Sequence, residues 1–228
     1  SKVRWIPLLT VSLLYFASLI ATGGTILYMK SPRDLVIQGL STRPVALLTY
    51  WLFHIDRSGP CSLAYLTENF LSLMLEASVF TVAAQLLHRE MGWAYTLTVL
   101  AALLVGGGVS ALCDVRGAEG ASAAAVASNT LNTILLPWAL ACSLRALIER
   151  ARAGEQLTLR HLVILTPIAL LLAYWACASI GLWEEAPQEV YCLITRQGCF
   201  KRVDGQGINV AGHAGGRLVG LAAGALLL

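Results

Sequence analysis

Six long apolar segments dominate this chain of 228 residues. A membrane-spanning helix needs about 20 predominantly apolar residues, and segments of that kind occupy approximately residues 5–29, 61–87, 93–112, 121–145, 161–183 and 209–228. Hydrophobic residues make up 57% of the chain and charged residues only 13%, a balance that excludes an ordinary soluble domain. The sequence therefore predicts an all-α, multi-pass membrane protein, with residues 1–228 forming a single domain of six transmembrane helices.

The linkers between these segments alternate between two membrane sides, called here side A and side B. Side A takes the N-terminus, 88–92, 146–160 and the C-terminus, whereas side B takes 30–60, 113–120 and 184–208. Lys and Arg normally mark the cytoplasmic side, but seven face side A and eight face side B. The orientation and the compartment therefore stay open, an organellar inner membrane included. Because the basic residues are spread over every loop, no nucleic-acid partner is expected.

The cysteines and glycines are the residues whose spacing could indicate a disulfide, a metal site or a phosphate-binding loop. Cys192 and Cys199 share one side-B loop, which suits a disulfide if that compartment is oxidising. No CxxC pair or His/Cys cluster has zinc spacing, so no structural metal is expected. The triplet Gly106–Gly108 has no preceding strand and no following Lys-Ser/Thr, so it indicates close packing or a kink and no phosphate loop. No cofactor is predicted.

Three polar residues lie in the first turns of the second, fourth and sixth spans, which all begin on side B: Asn69, Ser122 and His213. Polar groups at membrane depth are costly without partners and are functional candidates by default. Taken singly, each has a plainer explanation, because a lone Ser usually bonds to the carbonyl of the preceding turn and a lone His usually serves packing. Their shared depth indicates a common site.

Small residues on two spans predict how these side chains meet. The sixth span carries glycine at every fourth position, namely Gly212, Gly216, Gly220 and Gly224, and the fourth span begins with almost exclusively small residues over 120–128. Small residues let two helices approach closely, so we expect Ser122 to come within reach of His213. A neutral imidazole can activate a serine, and Asn69 with nearby backbone N–H groups could stabilise an oxyanion.

Four ordered motifs resemble those of rhomboid intramembrane proteases. Gly120-Ala-Ser122-Ala is similar to the fourth-helix motif of that family, and Ala211-Gly-His213-Ala-Gly-Gly-x-x-x-Gly is similar to the sixth-helix motif. The segment RPVALLTYWLFH at 43–54 resembles the membrane-embedded first loop, and SLAYLTEN at 62–69 resembles the second-helix motif. The likeness covers about residues 40–228.

The resemblance implies a six-helix rhomboid core that cleaves transmembrane protein substrates near the side-B surface. In that scheme Ser122 is the nucleophile, His213 is the base and Asn69 donates to the oxyanion, while Tyr65, Gly120 and Ala123 lie around the oxyanion and substrate site. The partners implied are the lipid bilayer and the transmembrane substrates.

The chain departs from the rhomboid pattern at three positions. Ala123 stands where the family has Gly, which would narrow the oxyanion site, and Tyr65 replaces a histidine that helps to hold the oxyanion. Val126 stands where many members stack an aromatic ring on the catalytic imidazole. Losing one oxyanion donor typically costs about 10²–10³ in rate. These departures favour the alternative of a catalytically inactive rhomboid-like protein, serving as a scaffold, a chaperone-like binder or a subunit of a larger membrane complex.

Two charges inside the spans are not used by the protease scheme. Glu76 lies two turns past Asn69, and Arg217 lies one turn past His213. An ion pair between them would lower the cost of burying each charge. Alternatively, Arg217 snorkels to the interface, or either charge meets a partner chain.

A transporter is a third class of function. The sequence shows neither an inverted repeat of the helices nor a broken helix pair, which are the features expected of a transporter.

Overall fold

The computed structural model describes residues 5–28, 33–55, 63–119, 121–154, 159–203 and 206–228. Within these ranges the chain is mostly helical, in agreement with the predicted all-α class. The α-helices of the described residues are α1 (Ile6–Tyr28), α2 (Pro44–Thr49), α3 (Leu63–Leu86), α4 (Gly92–Leu112), α5 (Ser122–Arg152), α6 (Leu159–Thr195) and α7 (Val210–Leu227).

Among the described residues, five helices are long and apolar enough to cross a membrane, judged by length and composition. The candidate spans are Ile6–Gly24 in α1, Leu66–Leu86 in α3, and the whole of α4, α5 and α7. They coincide with five of the six segments predicted from the apolar pattern. These helices are compatible with a multi-pass membrane protein.

Helix α6 corresponds to the remaining predicted segment, 161–183, but it is longer than the apolar pattern indicated. It runs for 37 residues and ends at Thr195, so the assignment of 184–195 to a side-B linker is wrong. Glu185 and Glu189 in this stretch bind Arg217 of α7. These contacts hold the end of α6 along α7, which favours continued helix where composition alone suggested a loop.

Short strands join the linkers that were assigned to side B. Strands β1 (Ile37–Gln38) and β2 (His54–Ile55) both pair antiparallel with β3 (Arg116–Glu119), in the order β1-β3-β2. Strands β4 (Lys201–Val203) and β5 (Gln206–Ile208) form a hairpin between α6 and α7. The linkers before α3 and before α5 therefore lie at the same end of the helical bundle, as the alternation of spans predicts.

The glycine face of α7 packs directly on α5. A Cβ atom built on Gly216 would lie 2.1 Å from the carbonyl oxygen of Ala123, and one on Gly220 would lie 2.5 Å from that of Ala127. Because no side chain fits in these gaps, glycine is required for the helices to come this close. The predicted contact between the two small-residue faces is confirmed.

The glycine triplet of α4 also serves close packing. A Cβ on Gly106 would lie 2.5 Å from the Ala123 Cβ, and one on Gly107 would lie 2.6 Å from the ring of Tyr50, whereas nothing lies within 4 Å of one on Gly108. The Tyr50 hydroxyl also donates to the carbonyl of Leu103 at 2.8 Å. Gly106 and Gly107 therefore allow Ala123 and Tyr50 to pack closely against α4. Helix α4 itself continues unbroken to Leu112.

The largest buried cluster joins α1, α3, α4 and α5. Leu66 and Phe70 of α3 belong to it together with Ala121 and Ala124 at the beginning of α5. Residues near the beginning of α3 and of α5 thus belong to one buried cluster. This packing brings the predicted site residues of the two helices into one region.

Candidate functional site

Ser122 is the first residue of α5 and directly follows the β3 linker. Strand β3 pairs with both β1 and β2, which anchors the chain just before the helix begins. The Ser122 side chain is half-buried, whereas Ala123 and Ala124 behind it are buried. The serine is thus held at the end of a helix, where its hydroxyl is partly accessible. Gly120, predicted to lie beside it, falls outside the described residues.

His213 lies in the first turn of α7, and its position is set by the Asn209 cap. The Asn209 side-chain oxygen accepts a hydrogen bond from the Gly212 N–H at 2.9 Å, as expected of a helix N-cap. The Asn209 amide also donates to Ser110 Oγ of α4 at 2.8 Å. These bonds attach the beginning of α7 to α4. The His213 side chain is 17% exposed.

Ser122 and His213 lie on helices that touch, but no hydrogen bond links them. Gly216, one turn after His213, meets Ala123, the neighbour of Ser122, so both residues lie at the same end of the α5–α7 contact. Within the described part of the chain, the charged side chain that lies near the imidazole is Glu185, with a carboxylate oxygen 3.9 Å from His213 Nδ1. The apposition of the helices agrees with the prediction, whereas a closed Ser–His pair is not formed.

Asn69 lies in the second turn of α3, on the helix that adjoins the first turn of α5. It is half-buried, and its amide has no hydrogen-bond partner within the described part of the chain. An unengaged amide at this place is available to donate to an incoming group. Tyr65 lies one turn earlier in α3, and its side chain is outside what the structure describes.

The Ala123 methyl does not project into an open substrate site. It is buried, and it fills the space that a side chain on Gly106 of α4 would take, only 2.5 Å from an ideal Cβ there. The extra methyl relative to a glycine is therefore accommodated by a glycine on the neighbouring helix. The expectation that Ala123 narrows the oxyanion site is corrected by this packing.

The predicted ion pair between Glu76 and Arg217 is wrong. The Glu76 carboxylate accepts a hydrogen bond from Asn132 Nδ2 at 2.8 Å and another from the Tyr174 hydroxyl. Counting turns placed the two charges at similar depths, but depth does not fix the direction in which a side chain points. Glu76 faces α5 and α6 from α3, whereas Arg217 faces another stretch of α6 from α7.

Arg217 instead binds two carboxylates of α6. Its Nη2 donates to Glu189 Oε1 at 2.7 Å and to Glu185 Oε2 at 3.3 Å, and its Nε also donates to Glu189. Arg217 and Glu189 are both largely buried, with side chains 11% and 4% exposed. Glu185 therefore lies between the guanidinium and His213. This cluster was not predicted, because the mixed composition around both glutamates had indicated a linker, although their spacing of four puts them on one helical face.

Cys192 and Cys199 form the disulfide that their shared loop suggested, with Cα atoms 5.0 Å apart. It connects the last turn of α6 to the segment before β4. Cys113, at the end of α4, lies close by, with 3.9 Å between its sulfur and that of Cys192. Burial raises the pKa of the Cys113 thiol, and the nearby Arg196 opposes that effect.

Within the described part of the chain, two groups of side chains bring metal-ligand atoms within 4.8 Å of one another: the three cysteines just described, and Glu185 with Glu189 and His213. In the first group two of the sulfurs are already bonded to each other. In the second group the Arg217 guanidinium occupies the carboxylates. A cation would have to displace existing bonds at either place.

The chain was compared with models of protein families, with curated proteins and with solved structures. It matches none of them.

Proposed function

We propose that this chain is a rhomboid-type intramembrane serine protease that cleaves transmembrane protein substrates, with Ser122 as nucleophile and His213 as base. The observation that carries the proposal is the contact of α5 and α7 at Ala123 and Gly216. Ser122 adjoins that contact and His213 precedes it by one turn. Both side chains are half-buried, so they combine partial access with shielding from solvent.

In the proposed reaction, His213 accepts the Ser122 hydroxyl proton while Oγ attacks the scissile carbonyl. The resulting oxyanion would receive hydrogen bonds from the Asn69 amide and from backbone N–H groups at the beginning of α5. His213 then returns the proton to the leaving amine. Asn69, Ser122 and His213 come from α3, α5 and α7, and α5 is in contact with both of the other helices.

Glu185 has a natural place in this scheme as a positioning residue. Its carboxylate lies 3.9 Å from His213 Nδ1, and its side chain is 47% exposed while it also accepts a hydrogen bond from Arg217. A carboxylate that accepts a hydrogen bond from Nδ1–H holds the imidazole in the tautomer whose Nε2 is free to accept a proton. Glu185 would thus orient the imidazole of His213. In many rhomboids an aromatic ring does this from the position where this chain has Val126.

A second candidate function is that of a catalytically inactive rhomboid-like scaffold or a subunit of a membrane complex. The observation in its favour is that no hydrogen bond joins Ser122 and His213, both of which lie in the described part of the chain. Catalytic hydrogen bonds are often long in substrate-free enzymes and tighten when substrate binds. The two candidates are therefore separated by reactivity.

Labelling with a fluorophosphonate probe in detergent tests the serine. The protease proposal expects wild-type labelling that is lost in Ser122→Ala and in His213→Ala, with no additional loss in the double variant, because nucleophile and base act as one unit. Ser128→Ala is the matched control, since Ser128 lies further along the same helix and its hydroxyl donates to Tyr95.

Two outcomes contradict the protease proposal. Labelling that survives Ser122→Ala would remove Ser122 as the nucleophile. A folded wild type that neither labels nor cleaves transmembrane substrates with helix-destabilising residues would favour the second candidate. In active protein, Tyr65→His should raise the cleavage rate, because it restores the imidazole donor that the rhomboid resemblance implies.

A further inference from the structure

A cavity of about 370 Å³ lies between α5, α6 and α7, apart from Ser122. Its walls are mostly apolar and it is open on one side. The apolar lining comes mainly from Ile134 of α5, Trp175 and Ala186 of α6, and Leu221 of α7. A cavity with such walls on the side of a transmembrane bundle suits a hydrocarbon chain.

Two hydrogen-bonding groups at this cavity have no partner. Arg217 Nη1 and Ser179 Oγ are buried without a hydrogen bond among the described residues, and both residues line the cavity. Arg217 as a whole is only 9% exposed. Leaving such groups unpaired in an apolar setting is costly, which points to a ligand that accepts hydrogen bonds.

Ser179 differs from other helical hydroxyls of this chain. Ser and Thr in helices commonly donate to the carbonyl four residues earlier, and Thr130 and Thr133, which line the same cavity, do so. Ser179 makes no such bond. Its hydroxyl is therefore free to donate to a ligand.

The charge around Arg217 selects the kind of acceptor. Glu185 and Glu189 both pair with Arg217, so the positive charge of the guanidinium is already balanced by carboxylates. A further anion would gain little attraction there, whereas a neutral carbonyl can still accept a hydrogen bond from Nη1. The favoured ligand therefore has a neutral carbonyl attached to a hydrocarbon chain.

We propose that this cavity binds one acyl chain of a glycerolipid, with the ester carbonyl accepting hydrogen bonds from Arg217 Nη1 and Ser179 Oγ. The chain then lies along Ile134, Trp175 and Leu221. The lipid fills the gap between α6 and its two neighbours and satisfies the two orphan donors. This proposal does not depend on catalysis by Ser122.

The test uses wild-type protein in phosphatidylcholine vesicles that contain a phosphatidylcholine with a photoreactive acyl chain, followed by mass-spectrometric mapping. The labels should concentrate on 130–134 and 175–186. Leu221→Trp should abolish this enrichment by filling the cavity. Leu218→Trp is the matched control and should keep it, because Leu218 and Leu221 are equally exposed, at 49% and 48%, but only Leu221 lines the cavity.

The donors are tested by competition. Ser179→Ala should weaken competition by unlabelled ester lipid by about threefold to tenfold, as expected for one hydrogen bond. In the wild type, an ether-linked analogue without carbonyls and free oleate should both compete less well than the ester lipid. If Leu221→Trp proves unstable, Ala186→Leu serves as a second cavity-filling variant.

Several results would overturn the proposal. Labels spread evenly over exposed positions such as Leu13 and Ile20 of α1, and unchanged in the cavity-filling variants, would indicate only surrounding bulk lipid. Equal competition by the ether analogue would remove the carbonyl from recognition. Stronger competition by oleate, or displacement by a transmembrane peptide alone, would identify a different ligand class.

Discussion

The guanidinium of Arg217, buried among apolar helices, pairs with two carboxylates of α6. The contacts with Glu189 are buried and involve two nitrogens of the guanidinium, which is the arrangement in which such pairs are strongest. Removing one partner of a buried pair strands the other charge, and this typically costs about 3–5 kcal/mol. The pairing of Arg217 is therefore a sensitive probe of how α6 and α7 are packed.

Arg217→Gln and Glu189→Gln should each destabilise the protein by about 3–5 kcal/mol, and the double variant should cost less than their sum. Arg217→Gln combined with Glu76→Gln should be additive, since Glu76 bonds to Asn132 and Tyr174 instead. The free energy of unfolding in mixed detergent micelles measures both cycles. Coupling between Glu76 and Arg217 without coupling between Glu189 and Arg217 would contradict the observed pairing.

Cys113 should react slowly with alkylating agents. Its raised pKa means a smaller thiolate fraction than in a free cysteine at any pH below that pKa, and the thiolate is the reactive form. The iodoacetamide rate should therefore rise with pH and level off only above the ordinary thiol range.

Arg196→Gln removes a cation that lowers the Cys113 pKa, so it should slow alkylation further, by about twofold for an exposed charge. Arg152→Gln, at the far end of α5, is the control. Faster reaction of Cys113 in Arg196→Gln would contradict the assigned effect.

Helices α5 and α7 are in contact through their backbones, with hardly any side chains between them. This places the first turns of two helices, and hence Ser122 and His213, near one another without any direct bond between them. The geometry of the candidate site therefore depends on glycines several residues away from it.

Gly216→Ala should destabilise the α5–α7 contact, because the added Cβ would lie 2.1 Å from the Ala123 carbonyl oxygen. Overpacking of this kind typically costs about 1–3 kcal/mol. Gly108→Ala is the matched control, since nothing lies within 4 Å of its Cβ, and it should stabilise α4 by about 0.5–1 kcal/mol. Thermal unfolding in detergent compares the two. Equal effects would mean that α7 does not approach α5 as described.

At the scale of the whole molecule, α6 corresponds to the one predicted span that is not among the candidate membrane spans of the described residues. Its 37 residues give a length of about 55 Å at 1.5 Å per residue, well beyond a hydrocarbon core of about 30 Å. A helix of this length that crosses the bilayer must tilt or protrude. The disulfide and the β4–β5 hairpin follow its end.

Single cysteines at Gly154 and Gln197 test this topology, in a background where Cys113, Cys142 and Cys177 are serine and the disulfide is kept. If α6 crosses the membrane, a membrane-impermeant maleimide should label the two positions from opposite sides. Labelling of both from the same side would show that α6 does not cross and would remove the sixth span.

The apolar pattern alone predicted the helical class and the positions of the long helices, because the bilayer requires about 20 apolar residues wherever a helix crosses it. The glycine spacing on α7 predicted its contact with α5, since only small residues permit such an approach. The disulfide between Cys192 and Cys199 was also predicted, although Cys192 lies in α6 and not in the loop that had been assigned to it. Each of these rests on a local pattern along the chain.

Which polar groups meet depends on how the helices pack against one another in the folded protein. Sequence spacing gives the depth of Glu76 and Arg217, but the rotation of each helix about its axis depends on the packing of all its neighbours. That rotation turned Arg217 toward Glu185 and Glu189, in a stretch whose mixed composition had indicated a linker. It also turned the Ala123 methyl toward Gly106, and it left Ser122 and His213 on touching helices without a hydrogen bond between them. The small-residue surfaces were visible in sequence, whereas the directions of the side chains required the assembled bundle.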